Sequence, residues 1–182
     1  MSSQAPSKRS RSARTAALAC ALVAGAAGAE RAGAGSAQRV ASPGRPAPAF
    51  IVERLNGTEL LSRSLLGRPL LINVFAAWCG TCRIEEPLLI EAYAKYRTRV
   101  TFLGIDEQEG VARATAFARD LHVPYPIALD AGQFAASYDT SKIPATILID
   151  GRGIVRAVHR GLISAAVMDR ELGGLVARKG KP

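Results

Sequence analysis

The sequence is poor in the residue types that most often announce chemistry. Its 182 residues include three cysteines, two histidines, two methionines and one tryptophan, and aromatics make up 5%. Three cysteines cannot staple a disulfide-dense scaffold, and two histidines leave little for a metal cluster of several ligands. No run of 18 or more strongly apolar residues is present, which argues against a helix packed fully in lipid. What is there suffices for a core: 48% of residues are hydrophobic, although alanine inflates the figure. The length fits one ordinary domain plus a tail. The odd cysteine count needs a reason, because a leftover thiol is a reactive liability.

The first 29 residues read as a leader. Lys8, Arg9, Arg11 and Arg14 stand in an acid-free start, Thr15 to Ala29 are small and apolar, and the run closes on Ala27-Gly28-Ala29. A basic start, a short apolar run and an A-x-A-like end describe a secretory signal peptide. An organellar transit peptide is the rival, but charge and apolarity lie in separate blocks rather than interleaved. Ala17-Leu18-Ala19-Cys20 is too loose for a lipidation site. Removing residues 1–29 takes away four cations, leaving 20 of the 24 against the same 15 acids, and it takes away Cys20. The remaining excess gathers in the tails and has no interleaved aromatics, so it reads as solubility and nucleic-acid binding is not expected. Residues 30–46 are rich in Ala, Gly, Ser and Pro and read as a flexible linker. Residues 47–178 read as one folded domain and 179–182 as a tail.

Within that domain, strand and helix signals alternate. Phe50–Leu55 and Thr58–Leu61 flank Asn56-Gly57, a hairpin turn signal that explains Asn56-Gly57-Thr58 better than glycosylation does. Leu70–Ala76 is a near-continuous apolar run, as expected of a strand covered on both faces. A helix is expected from Cys79 to about Arg97, a buried strand over Val100–Ile105, and a helix over Gly110–Leu121. There follow a short strand over Tyr125–Leu129, a short helix over Gln133–Tyr138, and a hairpin of Ala145–Asp150 with Ile154–His159. Ser164 is expected to cap a last helix that runs to about Ala177. Alternation around a buried run, with a late hairpin, predicts an α/β architecture with a mixed central sheet flanked by helices.

The chemistry falls at the end of the first buried strand, in Trp78-Cys79-Gly80-Thr81-Cys82. A Cys-x-x-Cys at a helix start places its first sulfur against unpaired N–H groups and the positive dipole end, which favour thiolate over thiol. The second lies within reach for a disulfide, so the pair can attack a partner's disulfide and then resolve the mixed disulfide. Half of a zinc knuckle or an inert disulfide are the plainer alternatives. Zinc would need two more ligands, and His122 and His159 are not in knuckle spacing.

Leu71–Pro87, L-I-N-V-F-A-A-W-C-G-T-C-R-I-E-E-P, resembles thioredoxin-fold proteins of the TlpA/ResA/CcmG type, which are envelope thiol–disulfide oxidoreductases. The resemblance extends through Pro48-Ala49-Phe50, Gly67-Arg68-Pro69 and Ile143-Pro144 before Thr146–Asp150. It implies a thioredoxin fold with an N-terminal hairpin and a helix–strand insertion, at about Gly110–Leu129, ahead of a cis-proline at Pro144. It also implies a redox disulfide Cys79–Cys82, with Cys79 as nucleophile and Cys82 as resolving thiol. Trp78, Ile143 and Pro144 would form the substrate-docking surface, and Trp78 could equally serve core packing. Glu85, three residues past Cys82, matches the acid of that branch and could take the buried thiol's proton. Its neighbour Glu86 reads as a first-turn acid favoured by the helix dipole, and Pro87 as a kink in the helix. Thioredoxins carry a buried Asp six residues before the first Cys; this chain has Asn73, which cannot titrate.

The resemblance points to an exported reductant of protein disulfides, in the periplasm or on the outer face of the cytoplasmic membrane. Apocytochrome c is the candidate target and a membrane thiol reductase the electron donor; no cofactor or metal is called for, and a monomer is expected. A general envelope oxidant is the alternative within the class. From another class, the Cys pair could serve a copper metallochaperone, although Met168 is the one methionine after the start and no histidine motif accompanies it.

Overall fold

The computed structural model describes residues 40–107 and 109–177. The expected leader, the linker up to residue 39 and the tail lie outside these residues. Seven strands form one mixed sheet: β1 (Ile51–Arg54), β2 (Glu59–Leu61), β3 (Leu70–Phe75), β4 (Thr101–Glu107), β5 (Ile127–Asp130), β6 (Ala145–Ile149) and β7 (Val155–Arg160), in the order β2-β1-β5-β4-β3-β6-β7. The centre, β5-β4-β3, is parallel, and both flanks are antiparallel. Among the described residues four α-helices cover it: α1 (Gly80–Tyr96), α2 (Val111–Asp120), α3 (Gln133–Tyr138) and α4 (Ala165–Ala177). A single 3-10 turn, Ser62–Leu65, not signalled by the sequence, follows β2.

Every residue of β3 is buried, which is why its apolar run does not alternate. Alternate side chains serve two cores. Ile72 and Val74 join Leu103, Ile105 and the α3 residues Phe134 and Tyr138 on one face. On the other, Leu71 packs with Leu89 of α1 and with Met168 and Leu172 of α4, while Phe75 stacks on Phe117 of α2 at 4.2 Å. Both ends of β3 are thereby held, and its C-terminal end is a rigid platform.

The mixed sheet, the N-terminal hairpin and the α2–β5 insertion are all present where the sequence places them. The hairpin turns at Gly57 with φ +79°, and the Asn56 Oδ1 accepts from the Thr58 backbone N–H at 3.1 Å. β5 starts two residues later than expected, after Pro126, because a proline cannot donate to a ladder. α1 is continuous through Pro87.

The boundary of the domain differs from the sequence reading. Residues 41–46, assigned to the linker, are seated on the sheet: the Ala41 N–H donates to Ser137, Gly44 N–H to Val155, and Pro46 bridges Ile154. Their backbone pairs with Val155 at the start of β7, an interaction that composition alone does not advertise. Among the fully buried side chains, Phe134 stacks on Tyr138 at 4.1 Å and meets Phe50 edge-on at 5.1 Å. Phe134→Ala should therefore cost about 3–5 kcal/mol, read as a lower urea midpoint with little change in m-value.

Candidate active site

β3 ends at Phe75, and after four intervening residues the chain enters α1 at Gly80. Cys79 is the cap: its sulfur accepts the Cys82 backbone N–H at 3.1 Å and lies 3.3 Å from the Thr81 hydroxyl. The helix therefore begins one residue after its first cysteine, and the sulfur occupies the place where a Ser or Asp oxygen usually caps. Cys79 and Cys82 are joined in a disulfide with Cα atoms 5.3 Å apart. Both sulfurs are shielded, Cys82 at 2% exposure, by Phe75, Ala114 and Phe117. Trp78 is 69% exposed, so core packing, one of its two expected uses, does not apply. It stands in solvent beside the disulfide with Ile84, also exposed.

The loop ahead of β6 brings in the other predicted residues. The Ile143–Pro144 peptide is cis, and Ile143 packs against the cluster that contains both cysteines. The Pro144 carbonyl accepts the Gly161 N–H at 2.7 Å, which joins this loop to the segment leading into α4.

Glu85 lies on α1 at 3% exposure, where its carboxylate accepts the Asn73 side-chain N–H at 2.9 Å and the Ile163 backbone N–H at 3.0 Å. Burial pushes its carboxyl up from the ordinary range, and the two N–H donors partly offset that. Asn73 is thus the donor that orients Glu85.

Glu86 departs from the sequence reading. It is not a first-turn acid: α1 begins at Gly80 with no acid in its first turn, and Glu86 is 1% exposed and accepts the Tyr125 hydroxyl at 2.5 Å. The reason is the inserted α2–β5 unit, which lays Tyr125 over this part of α1. Burial pushes the Glu86 carboxyl up to about 7, opposed by the Tyr125 hydrogen bond and reinforced by the charge of Glu85.

A second acidic group carries no expectation from the sequence. Asp106, fully buried at the end of β4, pairs in register with Phe75 and accepts the Glu109 backbone N–H at 3.2 Å. The Glu109 carboxylate in turn accepts the Ala77 backbone N–H, one residue before Trp78, and meets Arg113 at 3.5 Å. Burial, then the charge of Glu109, pushes Asp106 up to about 7. The only sequence signal is the acid-rich run Asp106-Glu107-Gln108-Glu109 at the end of a buried strand.

The histidines lie elsewhere. His122 follows α2 at φ +56°, and His159 sits 3.5 Å from Glu171 of α4. Among the described residues, no three His, Cys, Asp or Glu side chains are grouped to hold a metal, and no helix is long and apolar enough to cross a membrane. A helix-capping disulfide beside an exposed Trp and a cis-proline, with buried carboxyls on the same helix, is equipped for thiol–disulfide exchange.

Comparison with known proteins gives the same chemistry. A family model described as the AhpC/TSA family matches residues 43–158. The thiol:disulfide interchange protein DsbE of Tatumella citrea is 37% identical over 134 residues, 71% of each chain. DsbE of Escherichia coli (strain K12) is 32% identical over 134 residues, again 71% of each. The crystal structure of a thioredoxin-family thiol:disulfide interchange protein from Chlorobium tepidum TLS superposes with a TM-score of 0.66. It is 28% identical and covers 75% of this chain and 98% of its own.

The buried acids carry a consequence for stability. Glu85, Glu86 and Asp106 all hold their protons more tightly when folded than their ordinary values of 4.5, 4.5 and 3.8. Their contribution is fully present below about pH 4 and is lost as pH rises through the folded values, about 7 for Glu86 and Asp106. The oxidised domain should accordingly unfold at a higher temperature at pH 5 than at pH 7.5 in scanning calorimetry. Glu86→Gln should flatten that difference.

Proposed function

From the premise that the chain belongs to the AhpC/TSA family, as a thioredoxin-fold thiol–disulfide oxidoreductase related to DsbE, we propose that it acts as an exported reductant of protein disulfides. The observation that carries this reading is the Cys79–Cys82 disulfide at the start of a helix whose next buried side chains are carboxyls, Glu85 and Glu86.

In the reduced protein the Cys79 thiolate, favoured by the Cys82 N–H, the Thr81 hydroxyl and the helix dipole, attacks one sulfur of a substrate disulfide. The substrate S–S bond breaks and its other sulfur leaves as a thiolate, which takes a proton. Cys82 then gives its proton to Glu85 and attacks the Cys79 sulfur. The Cys79–Cys82 bond forms, the mixed disulfide breaks, and the second substrate thiol is released. Two electrons pass to the substrate, and a membrane thiol reductase restores the dithiol by the reverse exchange. Trp78, Ile143 and Pro144 form the docking surface, where an extended substrate segment pairs with the Ile143 backbone.

Direction follows from charge. A couple is oxidising when its reduced, thiolate form is stabilised. Carboxyls on the same face of α1 as Cys82 oppose a second thiolate there, which favours the disulfide and makes the dithiol a good donor. The basic and apolar leader supports export, and cysteine pairs of apocytochrome c are a fitting substrate in that compartment.

Cys79→Ser should abolish disulfide reductase activity, and Cys82→Ser should accumulate mixed disulfides that mass spectrometry can identify in the envelope. The reduction potential should lie nearer thioredoxin's, about −270 mV, than DsbA's, about −120 mV. A value near the latter would make the protein an oxidant, and failure of Cys82→Ser to capture any partner would sink the two-step mechanism.

A further inference from the structure

Two consecutive carboxyls are buried on the active-site helix, and the mechanism above uses only one of them. Cys82, Glu85 and Glu86 stand at i, i+3 and i+4, so both acids share the helix face of the resolving cysteine. Glu85 is held by two N–H donors, Asn73 and Ile163, from β3 and the loop before α4. Glu86 is held by one O–H donor, Tyr125, from the segment between α2 and β5. Tyr125 is itself buried and wedged between Tyr93 and Phe102, with ring centroids at 5.8 and 6.0 Å. Its ring also passes over Gly104, where an added Cβ would come within 3.3 Å of it. The phenol is therefore locked in place over the Glu86 carboxylate.

We propose that Glu86 and Tyr125 are a positioning pair that sets how readily Glu85 exchanges a proton with Cys82, a role that rests on the reading of Glu85 as proton acceptor. Two buried neighbouring carboxyls do not both ionise freely, so their titrations are linked. Asn73 and Ile163 favour the anion on Glu85, and the Tyr125 hydroxyl favours an anion on Glu86. When Cys82 passes its proton to Glu85, the Glu85 charge is cancelled and Glu86 can ionise more easily beside its phenol donor. When the proton leaves Glu85, the order reverses. The negative charge on the two carboxyls is thus kept near one as the thiol titrates, a proton leaving Glu86 for solvent as one arrives at Glu85 from Cys82, and the Tyr125 hydroxyl fixes where that carboxylate charge rests. The charged or titratable groups facing Glu86 are Cys82 and Glu85 on its own helix and Tyr125 from the insertion, with Tyr93 behind Tyr125. The pair links the α2–β5 insertion chemically to the redox helix.

The experiment uses the reduced full chain carrying Cys79→Ser, in which Cys82 is the active-site thiol. The rate of Cys82 alkylation by iodoacetamide is followed from pH 5 to 10 with peptide mapping to Cys82. The profile should show a step near pH 7, the range set by Glu86, below the main thiol titration. Glu86→Gln should remove that step and lower the main midpoint by about one unit, tenfold in thiolate fraction. Tyr125→Phe, which keeps the ring packing, should move the step upward because Glu86 loses its donor, and it stands in if Glu86→Gln fails to fold. A purely structural pair would change melting temperature and leave both positions in the profile unmoved. Unchanged profiles in both folded variants overturn the proposal, even if the protein with both cysteines reduces disulfides normally. A protein with both cysteines that exchanges no disulfides, or a Glu85→Gln profile identical to the parent, overturns the underlying reading instead.

Discussion

The carboxylate of Glu85 is where the architecture and the chemistry meet. It accepts one hydrogen bond from Asn73 in the central strand β3 and one from Ile163 at the entry to α4, while its own backbone belongs to α1. A buried carboxylate without such donors would be severely destabilising. Satisfying it therefore requires that sheet, redox helix and C-terminal segment meet in one arrangement. That arrangement orients the face of α1 that carries Cys82. The same burial that makes the donors necessary raises the proton affinity of the group, so structural need and acid–base capacity have one cause.

Around this point the loops are held from both sides. The Ala77 N–H is pinned by Glu109 in the loop after β4, and Pro144 is joined to Gly161 ahead of α4. Cys79 caps its own helix. The disulfide is thus set at a rigid helix start, while Trp78 and Ile84 remain in solvent. Rigid sulfur geometry beside an exposed apolar rim suits exchange at one bond. The α2–β5 insertion contributes in two places, through Phe117 stacked on Phe75 and through Tyr125 on Glu86.

Much of this is legible in the amino-acid sequence. Cys79 and Cys82 are readable because a cysteine pair at a strand-to-helix junction has few other uses. That Glu85 shares the helix face of Cys82 is readable from their three-residue spacing, and the Asn56-Gly57 hairpin from turn chemistry. Glu86 is not, because the propensity of an acid for a first helical turn says nothing of what packs above it. Its partner lies 39 residues away. The seating of residues 41–46 is hidden for a related reason: a Pro- and Gly-rich strip can serve as a sheet edge when a neighbouring strand offers unpaired groups.

Local signals, then, suffice for the identity of the elements, the redox pair and the class of chemistry, because each is written in periods and spacings of a few residues. The tertiary structure alone decides which acids are buried and which groups satisfy them. Asn73 meets Glu85 across 12 residues, Tyr125 meets Glu86 across 39, and Ile163 meets Glu85 across 78. A carboxyl's proton affinity depends on desolvation and on donors brought from distant chain segments. No reading of its immediate neighbours contains that information.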